Sequence, residues 1–157
     1  MKPRTQIALQ PSSRPTLAAA RLRKHSDYQR AYARSRKRHS ASMSWFLAPQ
    51  QENRSFTSDR AEPAAVSRVG LTVGKVLGKA HERNRIKRRM REVLRQHIGL
   101  LPPGCDLILH PRRVVLKLEF AKLEAEIVRI LHQANAEAGR MVSSIAAKTV
   151  SLAKPAS

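Results

Sequence analysis

The chain has 157 residues, 41% of them hydrophobic but only 4% aromatic, which predicts one compact domain with a modest aliphatic core. A formal net charge of +20 at pH 7 predicts a polyanionic partner, and nucleic acid is the commonest polyanion. No apolar run has the length of a membrane span, the N-terminus lacks a signal core, and a single cysteine excludes an internal disulfide. We therefore expect a cytoplasmic protein.

The N-terminal third begins with a tail and continues into a helix. Residues 1–20 are rich in Pro, Ser, Thr and Ala without a period, which predicts a disordered basic tail. The stretch HSDYQRAYARS predicts a helix that Ser26 caps, with Asp27 in its first turn. Tyr28 and Tyr32 are four residues apart and share one face of this helix. Such an aromatic pair either packs into a core or lines an exposed cleft.

Three apolar stretches in the middle of the chain predict strands. The aromatic and aliphatic content of residues 42–48 suits a strand, whereas the polar residues 50–65 predict a long loop. From Val69 the hydrophobicity alternates with a period of two, and Gly70 indicates a bulge or a close approach of another group. Cys105 opens the short apolar strand CDLILH, where we expect it to be a small buried hydrophobic residue.

A strongly basic helix is predicted at about residues 80–98, within which AHERNRIKRRMREVLR carries many more cations than acids. Its apolar residues recur at helical spacing and form one stripe: Ile86, Met90, Val93, Leu94 and Ile98. The side opposite the stripe carries mainly polar and cationic residues: Asn84, Arg88, Arg91 and Arg95. Arg85 lies toward one flank, and Lys87 and Arg89 lie nearer the apolar edges.

The charge of this helix predicts a function. A solvated face usually mixes signs, because like charges four residues apart repel by a few tenths of a kcal/mol. Here Arg85 and Arg89 are such a pair, as are Arg91 and Arg95, so we favour a phosphate backbone as the partner over a merely solvated face. Asn84 adds an amide that can hydrogen-bond a base edge or ribose hydroxyl, although an asparagine is also tolerated near a helix end.

The C-terminal part predicts a last helix at about residues 119–137, ended by Gly139, and a loose tail over 138–157. The acidic residues of that helix are predicted to face solvent: Glu119, Glu124 and Glu126. The three Asp are widely separated and the six His lack metal-ligand spacing, so the sequence predicts no catalytic residue and no protein-held metal.

The segment RVGLTVGKVLGKAHERNRIKRRMRE resembles the signature of the bacterial ribonuclease P protein component. The matching residues are Arg68, Gly70, Lys75, Gly78, Ala80, Arg83, Asn84, Arg85, Ile86, Lys87, Arg88, Met90, Arg91 and Glu92. LRKHSDYQRAY resembles the family's first helix, and the segment from DLILHPRR onward its last strand and helix, so the resemblance covers residues 21–135. Val76 departs from the pattern by replacing a second lysine, for which Lys79 is the candidate substitute.

The resemblance implies an α+β fold: a compact α/β sandwich in which a small mixed sheet of about four strands packs with three helices over residues 21–137. It also implies a left-handed βαβ crossover through the basic helix, whereas general rules favour a right-handed one. It implies the protein subunit of ribonuclease P, which binds a catalytic RNA and the 5′ leader of precursor tRNA. The chemistry then belongs to the RNA, with Mg²⁺ bound mainly by that RNA and no cofactor held by the protein.

The resemblance also assigns residues to the two RNA partners. The residues expected to bind the catalytic RNA are Arg83, Asn84, Arg85, Lys87, Arg88 and Arg91. The residues expected in the leader cleft are Tyr28, Tyr32, Phe46, Arg68, Lys75 and Lys79. We expect neither DNA nor a membrane as a partner, since no two-helix DNA-binding motif is evident. A ribosome-associated structural RNA-binding protein is the alternative that the charge also allows.

Overall fold

The computed structural model describes residues 16–50, 67–102 and 104–152. In chain order the elements are α1 His25–Arg34, β1 Arg38–His39, β2 Met43–Pro49, β3 Arg68–Leu71, α2 Ala80–Gln96, β4 Cys105–Pro111 and α3 Phe120–Leu152. Short 3₁₀ helices occupy Lys75–Leu77, Ile98–Leu100 and Arg113–Leu116. Three helices with a four-stranded mixed sheet confirm the predicted α+β fold.

The sheet has the strand order β1-β2-β4-β3. β4 is central, antiparallel to β2 and parallel to β3. A parallel pair needs a crossover connection, and α2 supplies it; the left-handed sense of this crossover stays a prediction. The outer edge of β3 is extended by a short N-terminal segment, in which Ala20 accepts a hydrogen bond from the Val69 N–H at 2.7 Å and Leu22 donates to the Val69 carbonyl at 2.9 Å.

The alternation of side chains along the strands separates two apolar layers. On one face of the sheet, Leu107 and Leu109 of β4 are fully buried in the main core with α2 and α3. On the other face, Ile108 packs with Ala31 of α1 and Ala48 of β2. Among the described residues, the sheet is therefore covered by α2 and α3 on one side and by the ten-residue α1 on the other.

The start of α2 is fixed by its own sequence. Gly78 has φ of 129°, a conformation that favours glycine, and it turns the chain into the helix. The Glu82 carboxylate accepts a hydrogen bond from the Lys79 N–H at 2.8 Å, which satisfies a donor at the helix start and lowers the pKa of Glu82. The apolar stripe is confirmed, because its first four residues are buried: Ile86, Met90, Val93 and Leu94.

Several predicted boundaries are wrong. α3 continues through Gly139 to Leu152, so the predicted loose tail is helical over 138–152. A glycine costs a helix only about 1 kcal/mol, and the buried Ala138 and the core contacts of Met141 favour continuation. The predicted disordered N-terminal tail over 1–20 extends too far, because Ala20 is buried in the core. The remaining tail predictions for 1–15 and 153–157 and the loop prediction for 51–65 lie outside the described residues.

Two local predictions for polar residues are also wrong. Ser26 lies inside α1 and does not cap it, because the helix begins after Lys24 without a side-chain cap. Glu126 is buried, and its carboxylate accepts hydrogen bonds from the Ser40 and Ser42 hydroxyls and from the Ser42 N–H at 2.8 Å. Burial raises the pKa of Glu126, but these hydrogen bonds outweigh it and leave the pKa lowered. Glu126 therefore joins α3 to the turn before β2.

Candidate nucleic-acid interface

The outer face of α2 carries cations that the rest of the described chain does not neutralise. Asn84, Arg85 and Arg88 are exposed, and the side chains of Arg83, Lys87 and Arg91 are half-buried; we call these six residues the α2 basic face. None of them forms an ion pair or side-chain hydrogen bond with another described residue, and the buried Nε–H of Arg83 lacks an acceptor there. The face is therefore a concentration of unbalanced positive charge.

Two other arginines of α2 have internal partners. Arg95 pairs with Glu92 at 2.7 Å, one turn away on the exposed surface. Arg89 donates hydrogen bonds to the carbonyl oxygens of Val115, Leu116 and Leu118, at the 3₁₀ helix that precedes α3. Arg89 and Arg95 therefore have structural roles within the protein. These contacts distinguish the two arginines from the α2 basic face, whose residues lack such partners among the described residues.

A second candidate surface lies on the sheet face that α1 covers only in part. The rings of Tyr32 and Phe46 meet edge to face with centroids 5.0 Å apart, and His110 lies 5.6 Å from Tyr32 and 5.1 Å from Phe46. The three rings are half-buried, and we call them the aromatic surface. The Tyr32 hydroxyl contacts His110 Nε2 at 2.7 Å and Thr72 Oγ1 at 3.0 Å, which fixes its ring.

Sequence reasoning missed two residues of this surface. His110 follows Ile108 by two positions on β4, so the strand alternation of CDLILH was the available signal for its direction. Lys37 is close enough in space to act electrostatically on His110: burial first, and then this cation, lower the pKa of the imidazole. Lys37 is thus an exposed cation near the aromatic surface, in the segment between α1 and β1.

Tyr28 is held by internal contacts. Its hydroxyl donates a hydrogen bond to the Leu22 carbonyl at 3.2 Å, which ties α1 to the N-terminal segment. Its ring lies on Gly70, where an added Cβ would be 2.6 Å from the hydroxyl oxygen. Burial, with the neighbouring Tyr32, raises the pKa of Tyr28. These contacts give Tyr28 a structural role beside the aromatic surface.

The cations predicted for the leader cleft are in two different situations. The Arg68 guanidinium binds both carboxylate oxygens of Asp106 at 2.8 Å and also contacts Asp27 at 3.1 Å. The hydrogen bonds to Asp106 raise the pKa of Arg68 most, and its charge is balanced by two buried acids. Lys75 and Lys79 are exposed on either side of the turn into α2, and neither is ion-paired within the described part of the chain.

The arrangement can bind a polyanion and stack against unpaired bases. Within the described residues, no group of three or more His, Cys, Asp or Glu is placed to hold a metal ion. Cys105 is buried as predicted, and burial raises the pKa of its thiol. No helix in the described ranges has the length and apolar character to cross a membrane.

Solved structures with the same fold define the class of protein. The Staphylococcus aureus RNase P protein matches 74% of this chain and 95% of its own length, with a TM-score of 0.58 at 24% identity. The Thermotoga maritima RNase P protein matches 72% of this chain and 96% of its own, with a TM-score of 0.57 at 22% identity. The fold is therefore that of bacterial RNase P proteins.

Sequence comparisons place the chain in a family. The Ribonuclease P family model matches residues 17–135. The ribonuclease P protein component of Thermobifida fusca is 32% identical over 109 residues, 68% of this chain and 70% of that protein. That of Desulfovibrio desulfuricans is 30% identical over 115 residues, 72% and 81% of the two chains. The chain belongs to the ribonuclease P protein component family. It is thus the protein component of an RNA-processing enzyme, in which its partner is an RNA.

Proposed function

We propose that this protein binds two RNAs in the ribonuclease P holoenzyme. The α2 basic face binds the catalytic RNA, and the aromatic surface, with nearby cations, binds the single-stranded 5′ leader of precursor tRNA. The bound protein promotes endonucleolytic removal of the leader in the cytoplasm. The catalytic RNA and its Mg²⁺ carry out the cleavage, and we assign no catalytic residue or cofactor to the protein.

The observation that carries this proposal is the contrast between arginines with and without internal partners. Arg68, Arg89 and Arg95 are bound to acids or carbonyl oxygens, whereas Arg85 and Arg88 are exposed without such partners within the described ranges. Phosphate groups remove the repulsion among such cations, and the counterions they release favour binding further. The apolar stripe holds α2 in place, so the cationic side chains project from a fixed helix.

The leader assignment is supported by ring geometry and nearby charge. Aromatic side chains that stack on unpaired bases contribute about 1–3 kcal/mol per base, and cations beside them hold the backbone. Tyr32 and Phe46 offer half-buried rings on the same sheet face, and the exposed Lys37 is near enough to His110 to lower its pKa. Because the charge of Arg68 is already balanced, we assign the leader's phosphates to the lysines, and Arg68 a positioning role for α1.

The catalytic-RNA assignment is tested with a charge-matched pair of variants. Arg85→Gln/Arg88→Gln removes two exposed cations from the α2 basic face, and Arg129→Gln/Arg140→Gln removes two exposed cations from α3. Filter binding to the catalytic RNA is measured from low to high salt. The α2 variant is expected to lower the magnitude of the log–log salt slope by about two and to weaken binding at least tenfold. Equal slopes for the two variants would contradict the assignment.

The leader assignment is tested with Tyr32→Ala, and Tyr32→Phe is the matched control that keeps the ring. Cleavage by the reconstituted holoenzyme is measured at low magnesium on precursor tRNA with and without a long leader. Loss of the ring is expected to reduce affinity for the leader-bearing substrate about tenfold and to leave the short-leader substrate unchanged. Equal loss on both substrates would remove the leader role. A protein without effect on cleavage under any condition would favour the ribosome-associated alternative.

A further inference from the structure

A cavity of about 300 Å³ lies at the outer edge of β3, between the N-terminal segment and α2. We call it the edge pocket, and its lining includes Leu17, Arg21, Leu71, Lys87, Arg91 and Leu94. Its volume is at the lower end of the range of about 300–1,000 Å³ that small-ligand sites occupy. Tyr28 also lines the pocket, and its ring centroid lies 6.4 Å from that of Tyr32, so the edge pocket borders the aromatic surface.

The lining of the edge pocket combines an apolar wall with three cations. Leu17, Leu71 and Leu94 supply apolar area, while Arg21, Lys87 and Arg91 supply positive charge, and no Asp or Glu of the described ranges lines the cavity. Lys87 and Arg91 are one helical turn apart, so their side chains extend from the same side of α2. An occupant that satisfies both features has a flat, weakly polar part and a negatively charged part.

We infer that the edge pocket holds one unstacked nucleotide of the catalytic RNA, an inference that rests on the proposed function of α2. The base lies against the leucines, and its phosphate lies among the three cations. The catalytic RNA is favoured over the leader because two of the cations belong to α2 and the pocket opens at the sheet edge beside that helix. The leader follows the aromatic rings of the sheet face.

A variant that fills the pocket without changing charge tests this inference. Ala18 lines the cavity, and Ala19 is the next residue of the same exposed turn but does not line it. Ala18→Trp is expected to weaken binding of the catalytic RNA about tenfold, which corresponds to about 1.4 kcal/mol, because the base no longer enters the pocket. Its salt slope should equal that of the unmodified protein, because no charge is removed. Ala19→Trp should bind like the unmodified protein.

A cross-linking measurement identifies the source of the nucleotide. Because Cys105 is buried, an Ala18→Cys variant carries one accessible thiol for a photoreactive aryl azide, with Ala19→Cys as its control. One dominant cross-linked nucleotide in the catalytic RNA of the holoenzyme supports the inference. Cross-links confined to precursor tRNA, or cross-links equally scattered for both variants, would overturn it.

The two proposals fail in different ways. If Ala18→Trp binds the catalytic RNA like Ala19→Trp while Arg85→Gln/Arg88→Gln still lowers the salt slope, the edge pocket holds no nucleotide and the role of α2 stands. If the arginine variant also leaves the slope unchanged, the proposed function itself is wrong.

Discussion

Gly70 lies beneath the ring of Tyr28, and replacing it with alanine is expected to destabilise the protein strongly. The new Cβ would lie 2.6 Å from the tyrosine oxygen and 2.8 Å from two ring carbons, whereas ordinary contacts begin at 3.4 Å. The ring must therefore move by about 0.8 Å, and the hydroxyl then loses its hydrogen bond to the Leu22 carbonyl. Overpacking costs about 1–3 kcal/mol and the lost hydrogen bond about 1 kcal/mol, so we expect about 2–4 kcal/mol.

The sign of this effect should depend on Tyr28. Gly70 is not among the glycines with positive φ, so its backbone accepts alanine once the ring is removed. In a Tyr28→Leu background, Gly70→Ala should therefore be neutral or stabilise by about 0.5 kcal/mol, because alanine reduces the entropy of the unfolded chain. Gly74→Ala is the control, since nothing lies within 4 Å of its added Cβ.

The free energy of unfolding is measured by urea denaturation, followed by far-UV circular dichroism, for the four members of this double-mutant cycle and the control. A coupling of at least about 2 kcal/mol between the two positions is expected. An equal cost of Gly70→Ala with and without the tyrosine ring would refute the close packing and, with it, the structural role assigned to Tyr28.

Three further outcomes are expected. Arg68→Met should lower the free energy of unfolding by about 3 kcal/mol in urea titrations, because Asp27 and Asp106 are left buried without their cation; a change below about 1 kcal/mol would contradict this. Arg89→Lys should lose about 1–3 kcal/mol of stability, since lysine cannot reproduce the carbonyl contacts, but keep the salt slope of RNA binding because its charge is unchanged. Because the pKa of His110 is lowered from its ordinary 6.5, protonation favours the unfolded state. The melting temperature should fall as pH drops from about 6.5 through that lower pKa, and His110→Gln should lack this component; parallel curves would exclude it.

The elements that the sequence predicted best are those specified by local periodicity. The stripe from Ile86 to Leu94 is helical in spacing over its whole length, and α2 follows it closely. β1 has only two residues, and its strand conformation depends on pairing with Ser44 and Trp45, which no local pattern indicates. The predicted end of α3 at Gly139 is wrong because glycine is a local stop signal, whereas the contacts that favour continuation of the helix are tertiary.

In the candidate site, too, the features set by local sequence were predictable and those set by distant contacts were not. The α2 basic face was predictable because its direction follows from the apolar stripe on the same helix. The partners of Arg68 were not, because Asp106 is 38 residues away and the sequence does not encode its position in any local spacing. The partners of Arg89 could not be predicted either. They are backbone carbonyl groups at least 26 residues further along the chain, and because every residue type has a backbone carbonyl, the sequence does not mark them. A cation count therefore overstates the charge available to RNA.

The central position of β4 has a consequence for folding during synthesis. Both β2 and β3 bond to β4, so their pairing with β4 cannot be complete until Pro111 has emerged from the ribosome. The N-terminal segment likewise waits for Val69. Such non-local pairing slows folding. We expect early nascent chains to be protease-sensitive up to that length and protected only beyond it.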